Sequence, residues 1–154
     1  MSDERYYAPS PLGQPPLATL RADDVPAALS SFPLPPGWEW PPEKEPGRSW
    51  FELYVARGPN RTVKIGRSGT PIERMRQLSQ WVQKQSIGVR LGGEGDHRLI
   101  VTIPNGDARR ERALLRLVHH EQVSGEWSRG PDSELLIATL ASYGLHSAAK
   151  ASAA

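Results

Sequence analysis

Residues 54–111 contain four side-chain types that handle phosphate esters: the phenol of Tyr54, the ammonium of Lys64, the guanidinium of Arg74 and the carboxylate of Glu111. A guanidinium offers a planar fork that suits phosphate oxygens. A phenol can position an attacking water or take its proton, and the chemistry that uses these types together is phosphodiester hydrolysis. A free tyrosine ionises near 10, too high for efficient base work at neutral pH. An ammonium about 5 Å away, at an effective permittivity of about 20, is worth roughly 3 kcal/mol, or about two pKa units. Lys64 is therefore expected to acidify Tyr54.

The elements that must bring these groups together follow from pattern. Phe51, Leu53 and Val55 alternate with Glu52, Tyr54 and Ala56, and Val63 and Ile65 alternate with Thr62, Lys64 and Gly66, the period of two of half-buried strands. A three-residue loop of Gly58, Pro59 and Asn60 predicts the pairs Val55 with Val63, Leu53 with Ile65 and Tyr54 with Lys64. A slip by one residue would set apolar side chains against polar ones. Thr70 as N-cap, Pro71 at the first helical position and Glu73 three residues past the cap announce a helix. On it Ile72, Met75, Leu78 and Val82 form the apolar stripe, with Arg74 at its edge. Arg98–Ile103 reads as a third strand, Asp107 caps a helix running to about His120, and a last helix spans about Asp132 to Tyr143, with Leu135, Leu136 and Leu140 inward and Gly144 as its stop. Glu111 shares a helix face with Leu114, Leu115 and Val118. A carboxylate there must find a cation, because burying it unpaired costs several kcal/mol. A salt bridge to Arg74 or another buried arginine and a metal ion both meet that need.

These residues resemble the GIY-YIG nucleases, most closely the phage and bacterial branch whose second motif begins with lysine. Tyr54-Val55 is similar to the end of the first motif and Lys64-Ile65-Gly66 to the second. Arg74 stands where the family keeps its helix arginine, and Glu111 followed by Gly125-Glu126-Trp127 is similar to the branch's later signature. The resemblance covers residues 50–130. It implies an α/β (α+β) sandwich with a three-stranded antiparallel sheet and flanking helices in the order β-β-α-β-α-α. It implies a metal-dependent endonuclease in which Tyr54, Lys64, Arg74 and Glu111 are catalytic, Glu111 holds Mg2+ or Mn2+, and the partner is a nucleic acid, with DNA the expected substrate. Lys64 stands where the second tyrosine is usual, Leu115, Val118 and Ser128 replace customary histidine or aromatic positions, and no asparagine follows Asn105. Those departures leave a second reading, a catalytically inactive module that binds nucleic acid or protein.

Arg67 and Ser68, just before the helix start, are further candidates for phosphate contact. Glu126 and Trp127 read as structural, with Glu126 as possible support for the site. His119 and His120 diverge by about 100° on a helix and do not chelate together. Gly92-Gly93-Glu94-Gly95 is a plain connection, and Trp81 is a core residue or a stacking face for a base.

Composition sets the background. The 154 residues, 38% of them hydrophobic, suit one domain with a modest core. Cysteine is absent, so neither a disulfide framework nor a thiolate metal site is possible, and a cytoplasmic setting is expected. No apolar run approaches the roughly 18 residues of a membrane span. Residues 1–50 hold 11 of the 15 prolines and three net negative charges, whereas the remainder carries 15 basic and 10 acidic groups. The expected division is a proline-rich extended arm over residues 1–49, a domain over 50–146 and a frayed Ala/Ser/Lys tail over 147–154. The arm's Trp38, Trp40 and Trp50 either pin it to the core or dock a protein partner. A positive domain suits a phosphate-bearing partner.

Overall fold

The computed structural model describes residues 17–42, 51–84 and 96–153, with side chains placed outside 81–84 and 151–153. Gly92–Gly95, Trp50 and the side chain of Trp81 lie outside that description. The chain is α+β. Its strands are β1 (Ala18–Thr19), β2 (Glu52–Arg57), β3 (Val63–Ser68), β4 (Arg98–Ile103), β5 (Gln122–Ser124) and β6 (Trp127–Ser128). Its helices are the single turn α1 (Val25–Ala28), α2 (Pro71–Lys84), α3 (Ala108–Val118) and α4 (Pro131–Ala153). The sheet is mixed and six-stranded, in the order β1-β4-β2-β3-β6-β5, with β1 parallel to β4 and the other pairs antiparallel. The expected three-stranded sheet of β2, β3 and β4 is thus its centre. The added strands are two or three residues long, too short to leave a period-two signature.

Alternation along β2 and β3 divides the core. Leu53, Val55, Val63 and Ile65 face one side, where α1, α3 and α4 contribute Val25, Leu114, Leu117, Leu136 and Leu140. Tyr54 and Ala56 face the other, against Met75 and Leu78 of α2 together with Leu99 and Trp127. The hairpin register is offset by two residues from the expected one: Val55 faces Ile65, Tyr54 faces Gly66 and Ala56 faces Lys64. The turn is longer because Asn60 and Arg61 both take left-handed backbone angles, with φ of 51° and 63°. Gly58 and Thr62 close it through an N–H···O bond of 2.9 Å. An even slip keeps every side chain on its face, so Tyr54 and Lys64 still share one side.

Residues 17–42, expected as part of an extended arm, contain β1 and α1 and send Leu20, Val25, Leu29 and Phe32 into the main core. Proline limits regular structure here to short pieces, yet apolar residues between the prolines still find the sheet. Trp38 donates its indole N–H to the Ala113 carbonyl at 2.7 Å. Trp40 lies against the buried Arg110 guanidinium, which donates to the carbonyls of Pro41 and Asn105 at 3.0 Å each. Both tryptophans therefore hold this segment to α3.

The last helix also departs from expectation. It runs through Gly144 to Ala153 rather than stopping before a frayed tail. Gly144 allows close packing: a Cβ there would lie 3.2 Å from Ala18 Cβ and 3.3 Å from the Thr19 carbonyl oxygen. Leu135, expected to face inward, is exposed, while Leu136, Ile137 and Leu140 are buried. The start of α4 is capped from a distance by Glu121, whose carboxylate accepts the N–H groups of Asp132 and Ser133 at 3.0 and 2.6 Å and the Ser133 hydroxyl at 2.7 Å. Burial tends to raise the Glu121 pKa, but these hydrogen bonds hold it below its ordinary value. Glu121→Ala should cost about 1–2 kcal/mol of stability, the range of a lost N-cap. Urea unfolding measures it, and an unchanged midpoint would remove Glu121 from this role.

Candidate active site

The site forms where β6 gives out. Trp127 pairs with Lys64 across β6 and β3, and the Glu126 carbonyl still accepts the Ile65 N–H at 3.2 Å, after which Gly125 turns the chain away with φ of 52°. The rest of β3 is left without a β6 partner. Groups from both faces of the sheet meet around this edge: Lys64, Tyr54 and Arg74 from the α2 side, and Glu111 from α3, with Glu126 between them.

Lys64 is buried, and its ammonium makes an ion pair with the Glu126 carboxylate. It lies 4.7 Å from the centre of the Trp127 ring and 5.8 Å from that of Tyr54, in the range of cation–π attraction. Burial lowers its pKa, Glu126 opposes that by charge and hydrogen bond, and the positive charge of Arg74 adds to the lowering. Tyr54 is also buried, its ring packed over Gly66, where a Cβ would come within 2.5 Å of the hydroxyl. Only glycine leaves room for that ring. Its hydroxyl hydrogen-bonds Arg74, yet burial pushes the pKa up to about 12, and the negative charges of Glu126 and Glu111 add to the rise. The expected acidification by Lys64 is therefore not found. Glu126 matches the lysine's charge, and desolvation of the phenolate outweighs what remains.

Glu111 meets Glu126 rather than an arginine. The Glu111 pKa is raised by burial first and by the charge of Glu126 second, with Arg67 and Lys64 opposing. A carboxylate that feels a like charge gains from a neighbouring cation. Oxygen donors of this kind suit a hard divalent ion such as Mg2+ or Mn2+, so the residues present fit one. The salt bridge to Arg74 considered for Glu111 is not formed. Arg74 is exposed on α2 and, with Lys64, Leu78, Glu126 and Trp127, lines an open concavity of about 250 Å3.

Five of the residues singled out by sequence, Tyr54, Lys64, Arg74, Glu111 and Glu126, are thus gathered at one place. Arg67 joins its rim, exposed, within electrostatic range of Glu111 and 5.2 Å over the Phe51 ring. Ser68 does not face the site. Its hydroxyl accepts the Thr70 N–H at 3.0 Å and shapes the entry to α2. Glu126 was expected only as support and is central, a role carried in the sequence by the left-handed glycine before it. His97 escaped notice altogether: it is buried and accepts the Trp127 indole N–H at 2.9 Å, and a lone histidine before a strand carries no pattern.

A second cluster brings His120, Glu121 and Asp132 together, their nearest ligand atoms within 4.8 Å of one another. Glu121 is committed there to capping α4, and a cation would sit at the positive end of the helix dipole. His119 plays no part in it. No family model, curated protein or solved structure matches this chain. Within the described residues no helix is long and apolar enough to cross a membrane.

The raised Glu111 pKa has a consequence for stability. The folded protein binds this proton more tightly than the unfolded chain, so stability falls as pH rises from the ordinary value of 4.5 through the raised one. Glu111→Gln should therefore raise the melting temperature at pH 7 and abolish any stabilisation by Mg2+. Scanning calorimetry with and without Mg2+ checks both effects, and a lowered melting temperature would contradict the pairing.

Proposed function

We propose that this chain is a GIY-YIG-like, divalent-cation-dependent endonuclease that hydrolyses phosphodiester bonds of nucleic acid, with DNA the expected substrate. The observation that carries the proposal is the Glu126 carboxylate, ion-paired with Lys64 and facing Arg74 across a concavity of about 250 Å3, with the Glu111 carboxyl near enough to Glu126 for their charges to interact. A positive domain supports it, since 15 basic groups against 10 acidic ones in residues 51–154 favour a polyanion.

The roles follow from the geometry. Arg74, exposed at the rim, can spread its donors over the oxygens of the scissile phosphate and offset the charge that develops there. Glu111 and Glu126 would hold a Mg2+ or Mn2+ ion, which when bound stabilises charge on the leaving oxygen. Tyr54, with a pKa of about 12, stays protonated at neutral pH and positions water or a phosphate oxygen by hydrogen bond; it is not the base. Lys64 keeps one positive charge against the carboxyl pair and limits the repulsion between them. Arg67 extends the cationic rim along β3.

The protonated Tyr54 also favours the rival, a module that keeps the fold and binds nucleic acid without cutting it. Supercoiled plasmid incubated with Mg2+ or Mn2+ separates the two. The endonuclease predicts nicking that Glu111→Gln, Glu126→Gln and Arg74→Ala each reduce by at least about 100-fold. Salt-sensitive binding without nicking would support the module, and neither activity would overturn both.

A further inference from the structure

Behind the concavity lies the buried His97. His97 immediately precedes β4, and two hydrogen bonds tie it to opposite walls of the site. Its Nε2 accepts the Trp127 indole N–H at 2.9 Å, with the rings edge to face at 66° and centroids 5.9 Å apart. Its backbone N–H donates to the Ser79 hydroxyl at 2.9 Å, and that hydroxyl in turn donates to the Met75 carbonyl at 2.8 Å. Met75 follows Arg74 directly, and Ser79 follows Leu78, the apolar floor of the concavity.

The indole is confined on a further side as well. A Cβ on Gly58 would lie 3.3 Å from both Cδ1 and Nε1 of Trp127, so Gly58 leaves the indole edge only the room a glycine allows. The Trp127 face against which Lys64 lies is then fixed in orientation, 4.7 Å from the ammonium that pairs with Glu126. Accepting at Nε2 requires that nitrogen to carry no proton in this contact. Loss of that acceptor would remove a buried hydrogen bond that helps hold the ring.

We propose that His97 is a positioning residue of this site: through the Trp127 indole it sets where the Lys64 ammonium stands against Glu126, and through Ser79 it holds α2, and with it Arg74, at the opposite wall. Its effect on turnover rests on the endonuclease reading, whereas its effect on Lys64 does not. The reaction would feel it as misplacement of the charged groups, without direct contact with the substrate.

The test uses the full chain and four proteins: His97→Leu, which removes the acceptor at similar size, His97→Gln, which offers an acceptor near the same place, Trp127→Phe, which keeps a ring but no N–H, and His97→Leu with Trp127→Phe. NMR reads the Lys64 Hε protons, which the indole ring current shifts upfield, and the Trp127 indole proton. His97→Leu should remove most of the Lys64 shift and open the indole proton to solvent exchange, and His97→Gln should restore both. In plasmid cleavage His97→Leu should cost roughly 10- to 100-fold in kcat, with no further loss when it is added to Trp127→Phe. An unchanged Lys64 shift in a folded His97→Leu protein overturns the proposal, as do losses in kcat that multiply. If the wild-type chain does not cleave, the endonuclease reading fails, and the Lys64 shift alone decides whether His97 positions the ammonium.

Discussion

A buried ammonium shared between two neighbouring carboxylates sets the terms for the rest of this site. Lys64, itself almost wholly buried, is ion-paired to Glu126, and Glu111 feels the charge of both. Electrostatics in that setting leaves few options. Burial and the charge of Glu126 raise the Glu111 pKa, and a divalent cation would offset that repulsion. The surrounding side chains answer to the same balance. Arg74 and Arg67 stand on the exposed side, where added positive charge is solvated, while the aromatic rings of Tyr54 and Trp127 flank the ammonium within.

What forces the carboxyl groups together is a mismatch in strand length. β3 runs for six residues, but β6 covers only its first part. At the place where β6 stops, a residue on the turn and a residue on α3 can reach one another around the sheet edge. Gly125, left-handed, makes the turn possible, and the bond from Ile65 N–H to the Glu126 carbonyl fixes its depth. On the other face, Gly66 gives Tyr54 a place to lie, and α2 enters directly from β3 with Arg74 in its first turn. In the proposed endonuclease Lys64, Arg74 and Glu111 sit on strand and helix, and Glu126 sits on a turn tied to β3 by a backbone hydrogen bond.

The central hairpin, the strand over 98–103 and the helix capped by Asp107 were legible in the sequence because each has a period or a cap. Asp107 indeed accepts the Arg110 N–H at 2.9 Å. The gathering of Tyr54, Lys64, Arg74 and Glu111 was legible too, since an even register slip does not change faces. What the sequence hid were effects that carry no period. The two-residue strands β1 and β6 are set by tertiary pairing. The continuation of α4 through Gly144 depends on a neighbour, β1, that occupies the space a side chain would need. The Tyr54 pKa moved opposite to expectation because burial of the phenol raises it first, with the charges of Glu126 and Glu111 adding to the rise. His97 had no signal, because its role exists only once Trp127 is in place.

The most direct measurement is the titration of the Glu111 side-chain carboxyl carbon by 13C NMR, with and without Mg2+, assigned through Glu111→Gln. The paired site predicts a midpoint above 4.5 without the ion, and a lower midpoint once Mg2+ competes for the same oxygens. A midpoint at or below 4.5 that ignores Mg2+ would contradict it.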